Sequence, residues 1–420
     1  MVNKTLRFYK YENDHLFSYF DYENLEKVSQ EEIKNSNSIL YYLNKLDPLY
    51  SRKSFSLSHP SLMFLESEGI NLLQSNENCF SNILPSWILE KINNREIVSI
   101  NTEYPNWEKI LSQPKKKKWK VNLIALGDVG STLLIGLRLL GGDCIEEIGM
   151  FDRNINRLKR WEYELNQVRY PFNEKSFPPI KPIDEEDLFN CDMFIFCASK
   201  GIPPVGSNVV DVRMAQFESN SEIIKEYALK AREKRFNGIF AVVSDPVDLL
   251  CKVAFLESNK NSKKEYDFLG LSSNQIIGYG LGVMNGRACF YAEQSKDTIH
   301  YLEEGRVFGP HGEGLIVADS IQNYNEEISD YLTYKTLNAN KEVRSFGFKP
   351  YVAPSLSSGA LSIISTIKGH WFYGSTYMGR AYVGSKCRLI SSGIEVEQLD
   401  IPYSLLKKIT NTYESLVSIR

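Results

Sequence analysis

Histidine is scarce and cysteine unpatterned in this 420-residue chain. His15, His59, His300, His311 and His370 are the five histidines, and none has a second histidine or a cysteine at ligand spacing, so no zinc-type cluster is visible and no metal is expected. The seven cysteines include no C-x-x-C pair; an odd, scattered set reads as reduced thiols, which makes a cytoplasmic location the expectation. Long apolar runs are missing too. No stretch reaches the ~18 residues that a bilayer span needs, and Met1 to Lys10 lacks a signal-peptide core, so no membrane association is expected. Neither sign of charge is in excess. The 49 Lys+Arg against 52 Asp+Glu leave a net charge of −3, which gives no electrostatic footprint for a nucleic-acid partner. The one basic run, Lys115 to Lys118, lies between Pro114 and Trp119 and reads as a solvated linker.

What is present belongs to an ordinary soluble protein: 43% apolar and 24% charged residues, with two or three domains expected at roughly 100–200 residues each. Glycine sets the boundary. Gly69 stands alone in residues 1–119, and the other 25 of the 26 glycines follow. Residues 1–118, rich in Tyr, Phe, Asn, Glu and Lys, are expected to form a mostly helical extension of unassigned role. Residues 119–274 then alternate buried strands with helices. Val121 to Leu126, Ile145 to Phe151, Asp192 to Cys197 and Gly238 to Val243 are apolar runs bounded by turn residues, and Ser131 to Leu140, Arg153 to Val168, Met214 to Arg235 and Pro246 to Phe255 read as helices. That alternation predicts an α/β fold with a doubly wound parallel sheet. Residues 275–420 mix helices with Gly- and Tyr-rich strands near Tyr382 to Val396 and are expected to form an α+β second domain.

The chemistry-bearing motif is Ala125-Leu126-Gly127-Asp128-Val129-Gly130, a G-x-G-x-x-G pattern with alanine in the first place. Between strand and helix, the central glycine lets backbone approach a pyrophosphate. The last glycine allows close strand–helix packing, and the helix start offers free N–H groups. Asp152 lies 22 residues after Gly130, at the end of the next strand, where an acid binds the ribose hydroxyls of NAD and repels a 2′-phosphate. Arg153 beside it weakens that preference. Gly127, Asp128, Val129, Gly130 and Asp152 are therefore the cofactor-binding candidates, joined by Ser199 and Gly201 in the loop beside the expected crevice. The Asp128 side chain must point away from the phosphates.

From here the chain resembles the lactate/malate dehydrogenase family over roughly residues 119–420. The ordered segments that carry the resemblance are Val243-Ser244-Asp245-Pro246-Val247-Asp248, Ile277-Gly278-Tyr279-Gly280, Gly309-Pro310-His311-Gly312-Glu313-Gly314 and Gly393-Ile394-Glu395-Val396. The resemblance implies a Rossmann domain followed by an α+β catalytic domain, NAD as cofactor, a homo-oligomer, and hydride exchange with a small carboxylate-bearing 2-hydroxy or 2-keto substrate. It carries the proton-exchanging histidine onto His311, the carboxylate-binding arginine onto Arg287 and the carbonyl-polarising loop arginine onto Arg213. The loop before Arg213, Pro203 to Val212, has no arginine for a second carboxylate, which speaks against malate. Two departures stand out. Met284 occupies the place of the aspartate that orients the histidine, and Asp245 replaces an amide. Either Asp245 takes over as the acid beside His311 or contacts a substrate amine, or the site has drifted and the chain is an inactive NAD-binding or assembly module. An NAD-dependent glycosidase, the remaining alternative, would need a metal on Cys and His.

Overall fold

The structure, a computed structural model, describes residues 5–36, 38–75, 83–111, 117–200 and 212–419, with the side chains of 212–215 outside the description. The first 111 residues depart from the helical expectation. They form a six-stranded mixed sheet from β1 (Arg7–Tyr11), β2 (Asp14–Ser18), β3 (Glu26–Lys27), β4 (Leu40–Asn44), β5 (Ser54–Ser56) and β6 (Ile97–Asn101), in the order β3-β1-β2-β4-β6-β5. The α-helices described there are only α1 (Gln30–Lys34) and α2 (Ser86–Asn93). The physical reason is burial on both faces. Every residue of β4 and β6 is buried, so neither strand shows the period-2 alternation that separates strand from helix in sequence. The lack of glycine misleads as well, because Glu12, Arg95 and Asn106 hold left-handed positions here, at φ 52°, 61° and 55°.

The second sheet has nine strands. Six are parallel, β7 (Trp119–Ile124), β8 (Ile145–Phe151), β9 (Ile180–Pro182), β10 (Met193–Phe196), β11 (Ile239–Val242) and β12 (Ile276–Gly278), in the order β9-β8-β7-β10-β11-β12. The boundary expected at 274/275 falls just ahead of β12, the strand that completes this dinucleotide-binding order. The order reverses between β7 and β10, and a ligand crevice forms beyond the strand ends at such a point. Helices α3 (Asp128–Leu140), α4 (Ile155–Asn166), α5 (Val212–Glu233) and α6 (Val247–Ser258) connect these strands. The remaining chain contributes α7 (Leu281–Ala292), α8 (Tyr301–Glu304), the hairpin β13 (Arg306–Phe308) and β14 (Ile316–Ala318), α9 (Glu326–Ser345), a π-helical turn at Pro354–Leu361 running into α10 (Ser362–Lys368), and α11 (Tyr403–Ser418). Strands β15 (Phe372–Tyr377), β16 (Tyr382–Ile390) and β17 (Gly393–Val396) extend the parallel sheet past β12 with antiparallel pairing. Among the described residues no helix is long and apolar enough to cross a membrane.

The N-terminal sheet is not a loose appendage. One apolar cluster runs without a break from Phe17, Tyr42 and Ile88 through Phe194 and Phe240 to Tyr382 and Leu405. Polar ties cross the same boundary. Asn274 Nδ2 donates to Ser54 Oγ at 3.2 Å, and Arg95 Nε donates to the buried Glu395 at 2.8 Å. Within the N-terminal unit, Arg52 Nε lies 2.9 Å from Glu68 Oε2, with the two side chains only 4% and 0% exposed. The guanidinium also stacks 3.9 Å from the Phe55 ring. Removing one member of such a pair strands a charge in the interior, which costs about 3–5 kcal/mol. Glu68→Ala is therefore expected to lower the unfolding free energy by about that amount in urea titrations; a loss within the range of a surface substitution would contradict a buried ion pair.

Candidate functional site

The end of β7 and the start of α3 make a tight turn. Gly130 cannot carry a side chain, since a Cβ there would stand 2.0 Å from the Ala125 carbonyl oxygen. Gly127 faces open space instead, with nothing within 4 Å of where its Cβ would be. Ala125 takes the first glycine's place at φ 66°, a left-handed conformation that costs an alanine roughly 1–2 kcal/mol. The Asp152 carboxylate ties this turn to β8. Oδ2 accepts from Leu126 N at 2.8 Å and from Arg157 Nη1 at 3.0 Å, while Oδ1 accepts from Asn154 N at 2.8 Å. An ionised carboxylate offers about four acceptor sites, so room remains on Oδ1. The Asp128 side chain turns outward to Lys349 Nζ, 3.2 Å away.

His311 sits in the loop between β13 and β14, packed so closely on the start of α7 that a Cβ on Gly280 would approach its own Cβ to 2.8 Å. Its Nδ1 is 2.8 Å from Asp245 Oδ1. A carboxylate only accepts, so Nδ1 carries the proton. Its main-chain N–H donates to Asp248 Oδ2 at 3.2 Å, and Ser375 donates to the other Asp248 oxygen. Asp248 is buried in the first turn of α6, and that burial pushes its carboxyl above the usual range. Burial pulls the His311 imidazole down, but the charge and hydrogen bond of Asp245 outweigh it and hold the pKa above the ordinary value; Arg287 opposes and Asp248 adds. Arg287, on α7, reaches Asn340 Oδ1 with Nη2 and lies 3.4 Å from the Met284 sulfur through Nη1. Burial works against its charge, with Asp245 offsetting part of that. Met284 itself is buried in the apolar cluster under α7.

The lactate/malate dehydrogenase NAD-binding domain family matches residues 119–266. The L-lactate dehydrogenase of Staphylococcus haemolyticus is 23% identical over 58% of this chain and 73% of its own length, and that of Macrococcus caseolyticus 26% identical over 62% and 74%. Against the Mesomycoplasma hyopneumoniae L-lactate dehydrogenase, 25% identical, the match spans 49% of this chain and 58% of the relative. Residues 119–266 thus carry a lactate/malate dehydrogenase NAD-binding domain, and the chain is similar to L-lactate dehydrogenases at low identity. Solved structures share its fold. A lactate dehydrogenase from a Medee basin deep-sea metagenome superposes with a TM-score of 0.58 at 20% identity, covering 72% of this chain and 97% of that one. The malate dehydrogenase of Plasmodium falciparum gives 0.56 at 16%, covering 71% and 96%.

The matched domain is an NAD-binding one, and the turn fits that cofactor: Gly127 leaves a cradle at the start of α3, and Asp152 keeps an acceptor site at the end of β8. The structure brings His311, Asp245 and Arg287 into one electrostatic cluster. The Arg213 side chain and Gly201 lie outside the described residues. Ser199 accepts from Asn220 Nδ2 at 3.3 Å and is exposed. Asn220, which the sequence offers only as a spacing mark seven residues after Arg213, ties the Asp245 loop to the loop after β10. Fully buried, it donates to the Asp245 carbonyl at 2.7 Å and accepts from Lys200 N at 2.9 Å. The signal for it and for Asp248 was a polar side chain on an otherwise buried helix face. A raised His311 pKa means that its pairing stabilises the fold fully below the unfolded-state pKa and fades as pH rises through the folded value. Asp245→Asn is expected to lower the His311 pKa from its raised value, since burial and Arg287 are then opposed only by the smaller pull of Asp248; imidazole ¹⁵N chemical shifts followed against pH measure it, and an unmoved midpoint would contradict the pairing.

Proposed function

We propose that the chain is an NAD-dependent oxidoreductase acting on a small carboxylate-bearing 2-hydroxy or 2-keto substrate, or a close relative of one, with a rearranged proton-exchange site. The observation that carries this reading is the 2.8 Å contact between His311 Nδ1 and Asp245 beside Arg287. Bound nicotinamide supplies the two-electron donor or acceptor. The protein's part is to place the substrate and handle its proton. Arg287, a planar fork of donors, suits a substrate carboxylate and fixes its orientation. With Nδ1 held by Asp245, Nε2 of His311 is left to give a proton to a forming hydroxyl or take one from it. Asp245 stabilises the imidazolium form that donates, doing from the loop after β11 what the family assigns to the position of Met284. Arg213, at the start of α5, is the candidate to polarise the reacting carbonyl.

A second reading, a non-catalytic NAD-binding or assembly module, is favoured by the buried apolar setting of Met284. Kinetics with NADH and a panel of 2-keto and 2-imino acids separates the two. The enzyme reading expects turnover that falls about 10²–10⁴-fold in His311→Ala with NADH affinity kept, and a raised KM in Arg287→Ala. Tight NADH binding without turnover of any 2-keto or 2-imino acid would overturn the enzyme reading in favour of the module.

A further inference from the structure

A lysine from late in the chain meets the dinucleotide turn. Helix α9 ends at Ser345, and Gly347, at φ 86°, donates its N–H back to Arg344 O at 2.9 Å and redirects the backbone. Two residues on, Lys349 Nζ lies 3.2 Å from Asp128 Oδ2, a contact between residues 221 apart in sequence. The two side chains are 81% and 53% exposed. Exposed pairs of this kind add little to folding, so stability does not explain the contact.

Its position does. Asp128 is the first residue of α3 and follows Gly127, where the backbone lies open to an approaching diphosphate. A helix N-terminus favours an anion, but a fixed carboxylate at the same end repels one, and at these separations an uncompensated charge shifts an equilibrium by a measurable factor. Lys349 cancels that carboxylate and brings an ammonium to the rim of the turn. We propose that Lys349 is a positioning residue for the cofactor's diphosphate, acting through Asp128. The inference rests on the NAD-dependent reading above and adds to it a contribution from the segment between α9 and the π-helical turn, outside the domain that the family match covers.

The test is fluorescence titration with NADH at low and high salt, using the full chain and the variants Lys349→Ala, Lys349→Arg, Asp128→Asn and the Asp128→Asn/Lys349→Ala double variant. Because both side chains are exposed, the variants should keep the wild-type melting temperature. Lys349→Ala is expected to raise the NADH Kd on the order of five- to tenfold at low salt and less at high salt. Lys349→Arg should bind like wild type, and the double variant should return to within about twofold of it, the coupling expected of two charges that act on the ligand as a pair. Equal binding by wild type and Lys349→Ala, or a loss that Asp128→Asn fails to restore, overturns this inference and leaves the cofactor assignment standing. A wild-type chain that binds no NADH overturns both.

Discussion

A half-buried imidazole packed against the start of α7 needs one acceptor to fix its tautomer and favour its charged form, and His311 has Asp245 for that purpose, 2.8 Å from Nδ1. Everything chemical about the site follows from where that acid comes from. It does not project from the buried face of α7, where Met284 packs among apolar side chains. It comes from the loop between β11 and α6, and its side chain is half exposed. A loop acid holds its position only if the loop is pinned. Asn220 pins the Asp245 carbonyl, Ser244 Oγ donates to Ala198 O at 2.8 Å, and Asp248 grips the main chain of His311 itself. The three ties come from α5, from the loop and from α6, so the pair is built from connections across the crevice rather than from one rigid helix.

The same crevice shows how the fold and the cofactor turn constrain each other. The parallel order reverses between β7 and β10, which opens space above the Ala125–Gly130 turn, and Asp152 clamps that turn to the neighbouring strand through Leu126 N. Close approach at Gly130 leaves no choice of residue there. Ala125 shows the tolerance of the first position: a methyl is accepted in a left-handed conformation because the surrounding hydrogen bonds over-determine it. The antiparallel strands β15 to β17 continue the sheet and present their far edge to the N-terminal unit, so the added sheet shares a core with the nine-stranded sheet rather than hanging from a linker.

Those parts were legible in sequence to different degrees, for physical reasons. The strand–turn–helix fingerprint was readable because steric demand at Gly130 and the acid at Asp152 are local requirements with fixed spacing. After β12 the mixture of helices with Gly- and Tyr-rich strands was legible, and the strands near Tyr382 to Val396 are β16 and β17. The first 111 residues misled, because strands buried on both faces carry no alternation and their turns use Glu12, Arg95 and Asn106 where glycine would have given a signal. The hydrogen bonds of Asn220, Asp248 and Lys349 were not legible, since each is made to a residue 20 or more positions away in the chain. Met284 and Asp245 were legible only against the family pattern, which marked one acid as gone and another as new and left the pairing of the second with His311 as one of several alternatives; the 2.8 Å contact picks that one out.

The central claim is that this rearranged site still moves a hydride between NAD and a substrate carbon. The most direct measurement supplies NADH deuterated at C4 to the wild-type chain with small 2-keto acids and reads the product by mass spectrometry. The account predicts a 2-hydroxy acid carrying deuterium at C2 from one C4 epimer of the cofactor and not from the other. Recovery of the 2-keto acids unchanged by a chain saturated with NADH, or a product whose C2 hydrogen comes from solvent, would contradict it.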